Sequence, residues 1–212
     1  MKTSLRVCLL ALALGWLAAA PIRAESVKYE SQPGSTVKVD GSSTIHDWTI
    51  ESKLIAGFME WEANSPIDPA QAILPDLKVI PKVEVSIPVR SLKSGKSLMD
   101  KIIYETMNQP TYAKIEYKLK EMTLKKDARK AGDPIKIDTK GELTVSGKTK
   151  PVAMVVSIEN AEGGQLKVSG TAPVKMTDFG MQPPAPKIAL GAIKTSDDVK
   201  IYFEWMTKMA GK

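Results

Sequence analysis

The sequence has one cysteine, Cys8, and one histidine, His46. One residue of each kind cannot supply a zinc site built from His and Cys ligands, nor an acid–base network of several histidines. Aromatic residues are scarce at 6%, while the apolar fraction of 43% and the charged fraction of 25% are ordinary for soluble globular proteins. We therefore expect a folded chain with a core and not a disordered one.

The first 24 residues have the pattern of a secretory signal peptide. Lys2 and Arg6 precede an apolar run from Val7 to Ala20, and Ala24 stands at a suitable cleavage position. The run is shorter than the ~20 apolar residues that a membrane-spanning helix needs. The sequence thus predicts cleavage after Ala24 and export, to the periplasm or otherwise out of the cytoplasm.

Removal of the predicted signal changes the charge and the cysteine content. Of the 212 residues, 188 remain; the loss of Lys2, Arg6 and Arg23 lowers the formal net charge from +6 to +3, and Cys8 is lost as well. A charge this small gives no basic footprint for nucleic acid. We expect a single domain over residues 25–212 that is stabilised by packing without a disulfide.

Polar and apolar residues alternate along most of the chain, which is typical of strands with one wet and one dry face. Clear examples are 79–89, 113–119 and 199–205. The parity of the apolar residues changes near Phe58 and again after Leu119, which predicts a bulge or a strand end at each place.

Turn-forming residues recur at short intervals, including Pro33-Gly34, Asp40-Gly41, Ser146-Gly147 and Gly170. Many short strands separated in this way favour a β-sandwich or a β-barrel. One segment differs: apolar residues between Ser97 and Met107 recur at three and four positions, which predicts a short helix with Ser97 as its N-cap.

The polar residues offer only weak candidates for chemistry. His46 with Ser43 and a distant Asp178 could form a hydrolase triad, although no nucleophile elbow accompanies them. Lysines between Lys118 and Lys130 form a basic cluster at a predicted hairpin tip, either a solvated tip or a surface for transient contact with an anionic membrane or a ligand head group. Nine methionines remain after removal of the signal; they fill the core or provide an adaptable lining for a flexible apolar ligand.

Four ordered segments resemble the YceI-like family of exported bacterial proteins. They are G-S-S-T-I-H-D-W at 41–48, parts of 86–104, G-E-L-T-V-S-G-K-T-K at 141–150, and parts of 176–199. The order and spacing agree over roughly residues 35–206. The resemblance implies an all-β fold: an eight-stranded antiparallel lipocalin-like barrel with one short helix near a barrel mouth. It also implies a long polyisoprenoid, such as a quinone tail or a polyprenyl lipid, bound inside the barrel.

We therefore predict a non-enzymatic carrier of a long apolar isoprenoid lipid, with no catalytic residue, no metal and no cofactor other than that lipid or quinone. Two alternatives remain: a hydrolase that acts on an apolar ester through His46, and a structural or partner-binding module with a filled barrel. The residues predicted to line the ligand site are Trp48, Phe58, Val83, Val85, Ile87, Leu98, Met99, Ile102, Met107, Ile115, Tyr117, Leu143, Val145, Phe179 and Phe203.

Overall fold

The computed structural model describes residues 26–62, 67–73, 80–125, 129–185 and 193–211. The predicted signal peptide therefore lies outside the described residues. The strands are β1 (Ser26–Ser31), β2 (Thr36–Ser43), β3 (Trp48–Ser52), β4 (Ala56–Glu62), β5 (Lys82–Pro88), β6 (Lys114–Leu124), β7 (Ile135–Val145), β8 (Lys148–Ala161), β9 (Gln165–Lys175) and β10 (Thr195–Met209), and the helix α1 spans Ser97–Thr106.

Eight of these strands close into an antiparallel barrel. The ring runs β1, β4, β5, β6, β7, β8, β9, β10, and β10 pairs back onto β1 with Tyr29 opposite Met209. The remaining strands, β2 and β3, form a hairpin beside β10, where Val37 faces Phe203. The predicted eight-stranded antiparallel barrel with one short helix is confirmed.

The β2–β3 hairpin extends the barrel wall on one side. β2 follows β1 after the turn at Pro33-Gly34. Three residues, 53–55, join β3 to β4. Glu51 and Lys93 exchange two backbone hydrogen bonds of 2.8 Å, which join β3 to the segment after β5. The wall of the barrel is thus longer at the end where the hairpin and α1 lie.

Alternation determines which side chains form the interior. In β7, Ile135, Ile137, Leu143 and Val145 are buried, whereas the lysines and the aspartate between them face solvent. Each strand thereby places one apolar face inside the barrel and one charged face outside. The hydrophobic effect of closing these inner faces together stabilises the fold.

Phe58 lies on the outer face of β4, not on the inner face to which the sequence pattern assigned it. Its ring is half-buried between the ammonium groups of Lys28 and Lys82, which lie 4.9 and 5.1 Å from its centroid. Met59 and Trp61 are the buried residues of this strand. The three residues between β3 and β4 reset the parity, so the change arises in a turn and precedes Phe58.

The second parity change is a bulge, as predicted. The pairing of β6 with β7 shifts between Leu119 and Glu121. Met122 and Leu124 then occupy the half-buried positions of β6. An extra residue in one strand of an antiparallel pair has this effect because it reverses the faces beyond it.

Two glycines that the sequence assigned to turns lie inside strands. Gly41 is in β2 beneath the Trp48 ring, and a Cβ atom there would overlap the indole. Gly170 is in β9, where a Cβ atom would lie 2.7 Å from the Phe203 ring. At both positions the missing side chain gives space to an aromatic ring of the neighbouring strand.

The predicted N-cap of α1 is wrong by one residue. The helix begins at Ser97, its N-cap is Lys96, and no side chain caps it. Asp100 does not complete a capping box with Ser97, because its carboxylate accepts hydrogen bonds from the backbone N–H and the hydroxyl of Ser94, both at 2.7 Å. Within the described ranges, no helix is long and apolar enough to cross a membrane.

Candidate ligand-binding cavity

The barrel interior contains two adjoining cavities. The larger, about 360 Å³, lies between the β2–β3 hairpin, α1 and the start of β10, and we call it the upper chamber. Trp48 and Ile50 from the hairpin, Ile102 from α1 and Val199 from β10 form parts of its wall. Its volume falls within the ~300–1,000 Å³ that is typical of sites for small organic ligands.

The smaller cavity, about 140 Å³, lies deeper in the barrel and is the lower chamber. Strand residues form almost all of its wall, including the large aromatic side chains of Trp61, Tyr117, Phe203 and Trp205. Trp205 is buried, and its indole N–H donates a 2.7 Å hydrogen bond to the Ser31 hydroxyl. The ring is held in place because its one polar group has a partner.

The two chambers meet at Leu143 and Ile201, which belong to the walls of both. Leu143 comes from β7 and Ile201 from β10, on different sides of the barrel. An apolar chain that fills the upper chamber therefore has the lower chamber directly beneath it, at this level of the barrel.

Tyr117 lines the lower chamber near this level and contacts Gly141. The Tyr117 ring lies against the backbone of Gly141 so closely that a Cβ atom there would overlap it. Burial raises the pKa of the Tyr117 hydroxyl, since the phenolate form would lose its hydration. The tyrosine is therefore neutral at ordinary pH and contributes its ring as apolar surface.

The helix α1 forms one wall of the upper chamber and is attached by polar contacts on its outer side. The Tyr104 hydroxyl donates to the carbonyl of Leu92 at 2.9 Å and accepts a 2.6 Å hydrogen bond from the Lys93 ammonium. Asp100 binds Ser94, and the hydrogen bonds from Ser94, followed by the charge of Lys93, lower the pKa of its carboxyl. Hydrogen bonds thus hold a helix that has no fully buried residue of its own.

The segment with His46 is a turn at the rim of the upper chamber. The Ser43 hydroxyl donates to the His46 carbonyl oxygen at 2.8 Å, and the His46 Nδ1 lies 2.8 Å from the Asp47 carbonyl oxygen. Ser43 therefore contacts the backbone of His46 and not its ring. This geometry stabilises the turn, but it is not the nucleophile–base contact that a triad needs.

Most residues predicted to line the ligand site are in the chamber walls. Those of the upper chamber are Trp48, Leu98, Met99, Ile102, Met107, Ile115, Leu143, Val145 and Phe179. Those of the lower chamber are Val83, Val85, Ile87, Tyr117, Leu143 again, and Phe203. Phe58 lines neither. Contact of these residues with a ligand remains a prediction.

Several wall residues were not predicted. Ile201 and Val199 continue the alternation that contains Phe203, so the pattern could have included them. Met176 and Met181 lie on either side of the short 3-10 turn at Thr177–Phe179, after β9, where no periodic pattern indicates an inward side chain. With Met99 and Met107, they line the upper chamber with four flexible thioether side chains.

Glycines of the barrel strands do not account for the open volume, because aromatic rings cover Gly141 and Gly170. The open volume lies instead at the end of the barrel where the hairpin and α1 extend the wall. Around the lower chamber, the side chains of the strands fill most of the interior. Among the described residues, no group of His, Cys, Asp or Glu side chains is placed to hold a metal ion.

An eight-stranded antiparallel barrel around an apolar cavity defines a lipocalin-like binding barrel. The chain belongs to the YceI-like family, whose domain model matches residues 32–206. No curated protein matches the sequence.

Solved structures with the same fold include proteins from three bacteria. Burkholderia cenocepacia BcnA matches with a TM-score of 0.60 and 19% identity, covering 81% of this chain and 95% of BcnA. A polyisoprenoid-binding domain from Saccharophagus degradans matches with a TM-score of 0.63 and 12% identity, covering 86% and 98% of the two chains. The YCEI protein of Campylobacter jejuni has a TM-score of 0.50 and 15% identity, covering 100% and 94%.

Proposed function

We propose that this protein is an exported, non-enzymatic carrier of a long isoprenoid lipid, held with its chain in the upper and lower chambers. The observation that carries the proposal is the meeting of two apolar cavities at Leu143 and Ile201. The Saccharophagus degradans domain, which has the same fold, is a polyisoprenoid-binding domain, and this supports the same class of ligand. Export is supported by the signal-peptide pattern of residues 1–24.

Energetics favour a long chain over a short one. Each buried CH₂ contributes ~0.8 kcal/mol, so ten carbons contribute roughly 8 kcal/mol before costs. Association costs an estimated 4–15 kcal/mol in lost motional freedom. Because the chamber walls offer few polar anchors, only a longer chain clearly exceeds that cost.

The two alternative functions receive less support. Hydrolysis through His46 would need Ser43 close to the imidazole, whereas its hydroxyl donates to a backbone carbonyl. A filled barrel would have no room for the upper chamber of about 360 Å³.

The direct test is organic extraction and native mass spectrometry of the protein purified from its own host. We expect an isoprenoid to co-purify with the protein. Added solanesol, a long isoprenoid alcohol, should displace it more effectively than farnesol, a short one. Recovery of no lipid, together with no binding of either added alcohol, would contradict the proposal.

A further inference from the structure

The rim of the upper chamber carries two exposed aliphatic side chains. Ile45, in the loop between β2 and β3, is 60% exposed, and Leu98, in the first turn of α1, is 56% exposed. Single exposed aliphatic residues are common on protein surfaces. These two differ because both also line the chamber, so that apolar surface continues from its interior to its outer rim.

The charged side chains that line the upper chamber are of one sign. Among the described residues that line the upper chamber there are two lysines, Lys96 and Lys175, and none is an aspartate or a glutamate. Asp47, which follows His46, lines a shallow groove on the outside of the barrel instead. Asp197 lies near Lys175, and hydrogen bonds from the hydroxyl and backbone N–H of Thr177, followed by the charge of Lys175, lower the pKa of its carboxyl. Lys175 therefore has one carboxylate beside it, although that carboxylate does not line the chamber.

The basic cluster predicted at the β6–β7 hairpin has a different character. Lys125 pairs with Asp138 at 3.2 Å, and Lys120 pairs with Glu142 at 3.0 Å on the outer barrel face. Part of this cluster lies outside the described residues. Two of the described lysines there, Lys120 and Lys125, each lie beside a carboxylate, which weakens the attraction of this surface for an anionic membrane.

We propose that the rim of the upper chamber docks on an anionic membrane surface, with Ile45 and Leu98 in the lipid and Lys96 and Lys175 against the phosphates. This inference rests on the proposed function. A lipid chain that moves between the bilayer and the chamber through water must expose its methylenes. Each exposed methylene lowers the population of the exposed state about fourfold, so a ten-carbon stretch lowers it about a millionfold. Direct contact between the rim and the bilayer avoids that exposure.

The test is flotation of the purified protein with vesicles that contain no isoprenoid. One set has equal parts of phosphatidylglycerol and phosphatidylethanolamine, and the other has phosphatidylcholine alone. We expect binding to the anionic set, lowered about tenfold or more by the double variant I45S/L98S. We expect a similar loss for K96E/K175E, because each lysine near such a surface contributes about fivefold.

Ile73→Ser is the matched control. Ile73 is 86% exposed and lies in the segment that Arg129 contacts beside the β6–β7 hairpin, away from the chamber rim. Its replacement should leave flotation unchanged. The proposal is overturned if the protein does not float, if I73S reduces flotation as much as the rim variants, or if K130E reduces it and K96E/K175E does not.

A second measurement separates this proposal from the carrier function. Solanesol is delivered from cyclodextrin to the wild-type protein in the absence of vesicles. Binding of solanesol without flotation would overturn rim docking and leave the carrier function intact. Flotation with the rim-variant pattern but without solanesol binding would overturn the carrier function and support the docking surface.

Discussion

The upper and lower chambers are built from different parts of the same barrel. Strands surround the lower chamber almost completely, and the rings of Trp61, Phe203 and Trp205 reduce it to about 140 Å³. A hairpin, a helix and a short turn complete the upper chamber, which is more than twice as large. The part of the barrel around the lower chamber resembles a protein core with a small remaining void. The part around the upper chamber encloses a larger cavity.

From this difference we expect the region around the lower chamber to serve mainly the stability of the fold, and the region around the upper chamber to serve mainly ligand binding. We expect the hydrogen-bonded strands and buried aromatic rings around the lower chamber to contribute most to stability. The upper wall has methionines and a helix without a fully buried residue, held by polar contacts on its outer side. Such a wall can adjust to a flexible chain at little cost to the rest of the fold.

Truncation of one residue in each chamber gives the largest expected contrast. Trp205→Ala should lower the free energy of unfolding by about 3–5 kcal/mol, because it removes a buried ring and leaves a cavity. Met99→Ala, at a half-buried position of α1, should cost about 1 kcal/mol or less. Urea unfolding of both variants measures this difference, and equal losses would contradict the distinction between the chambers.

Filling the level at which the chambers meet should affect long ligands most. Ile201→Trp places a large side chain at the level where they meet. Each five-carbon unit excluded from the lower chamber forfeits about 4 kcal/mol gross. Ordering that unit offsets part of the gain, so we expect a net loss of about 2 kcal/mol, or roughly 30-fold in affinity.

Comparison of solanesol with farnesol in a binding titration tests this effect. The affinity for solanesol should fall far more than the affinity for farnesol in I201W. Val155→Trp adds the same ring on the outer wall, where Val155 is 47% exposed, and should leave both affinities unchanged. Equal weakening of the two alcohols in I201W would indicate that the chain does not extend into the lower chamber.

The sequence predicted the inward positions of strands and of the helix better than those of loops and turns. Inward positions such as Val83, Val85 and Leu143 follow from alternation, because an antiparallel strand with one wet face repeats every two residues. Gly41 and Gly170 were misassigned to turns. The sequence around a glycine does not show whether the residue bends the chain or leaves room for an aromatic ring of the neighbouring strand. Only the pairing of strands distinguishes these two roles.

The upper chamber depends on contacts that no local pattern contains. Met181 lines it from an irregular segment, and Ile45 lines it from a loop. Phe58 was placed on the wrong face because the turn before β4 resets the parity. The existence of the helix could be predicted from its spacing, but its attachment through Asp100 and Ser94 could not, because that contact replaces the expected cap.

The attachment of α1 provides a smaller test, confined to the upper wall. Asp100→Ala removes the acceptor of two hydrogen bonds from Ser94 and should lower the unfolding free energy by about 1.5 kcal/mol. Because the folded-state pKa of Asp100 is lowered, its contribution is present above about pH 4 and fades as the pH falls through the folded pKa. Wild type and variant should therefore converge in acid.

Urea unfolding over a pH series measures this contribution, and hydrogen exchange of the helix amides locates it. Asp138→Ala is the control: it removes an exposed ion pair with Lys125 on the outer wall, and we expect a change under about 0.5 kcal/mol. A difference for Asp100→Ala that persists unchanged below the folded pKa would show that the carboxylate is not the stabilising group.

The smallest expected effect concerns the contact between Tyr117 and Gly141. Gly141→Ala places a methyl group where the ring now lies, so the ring must move toward the lower chamber at a cost of about 1 kcal/mol. Gly211→Ala, at a position with open space around it, should cost less than half of that. If Tyr117→Leu removes the penalty of Gly141→Ala in a double-mutant cycle measured by urea unfolding, the ring is its cause. A penalty that persists without the ring would place its origin in the backbone of β7, and the wall at this level would then be set by the strand itself.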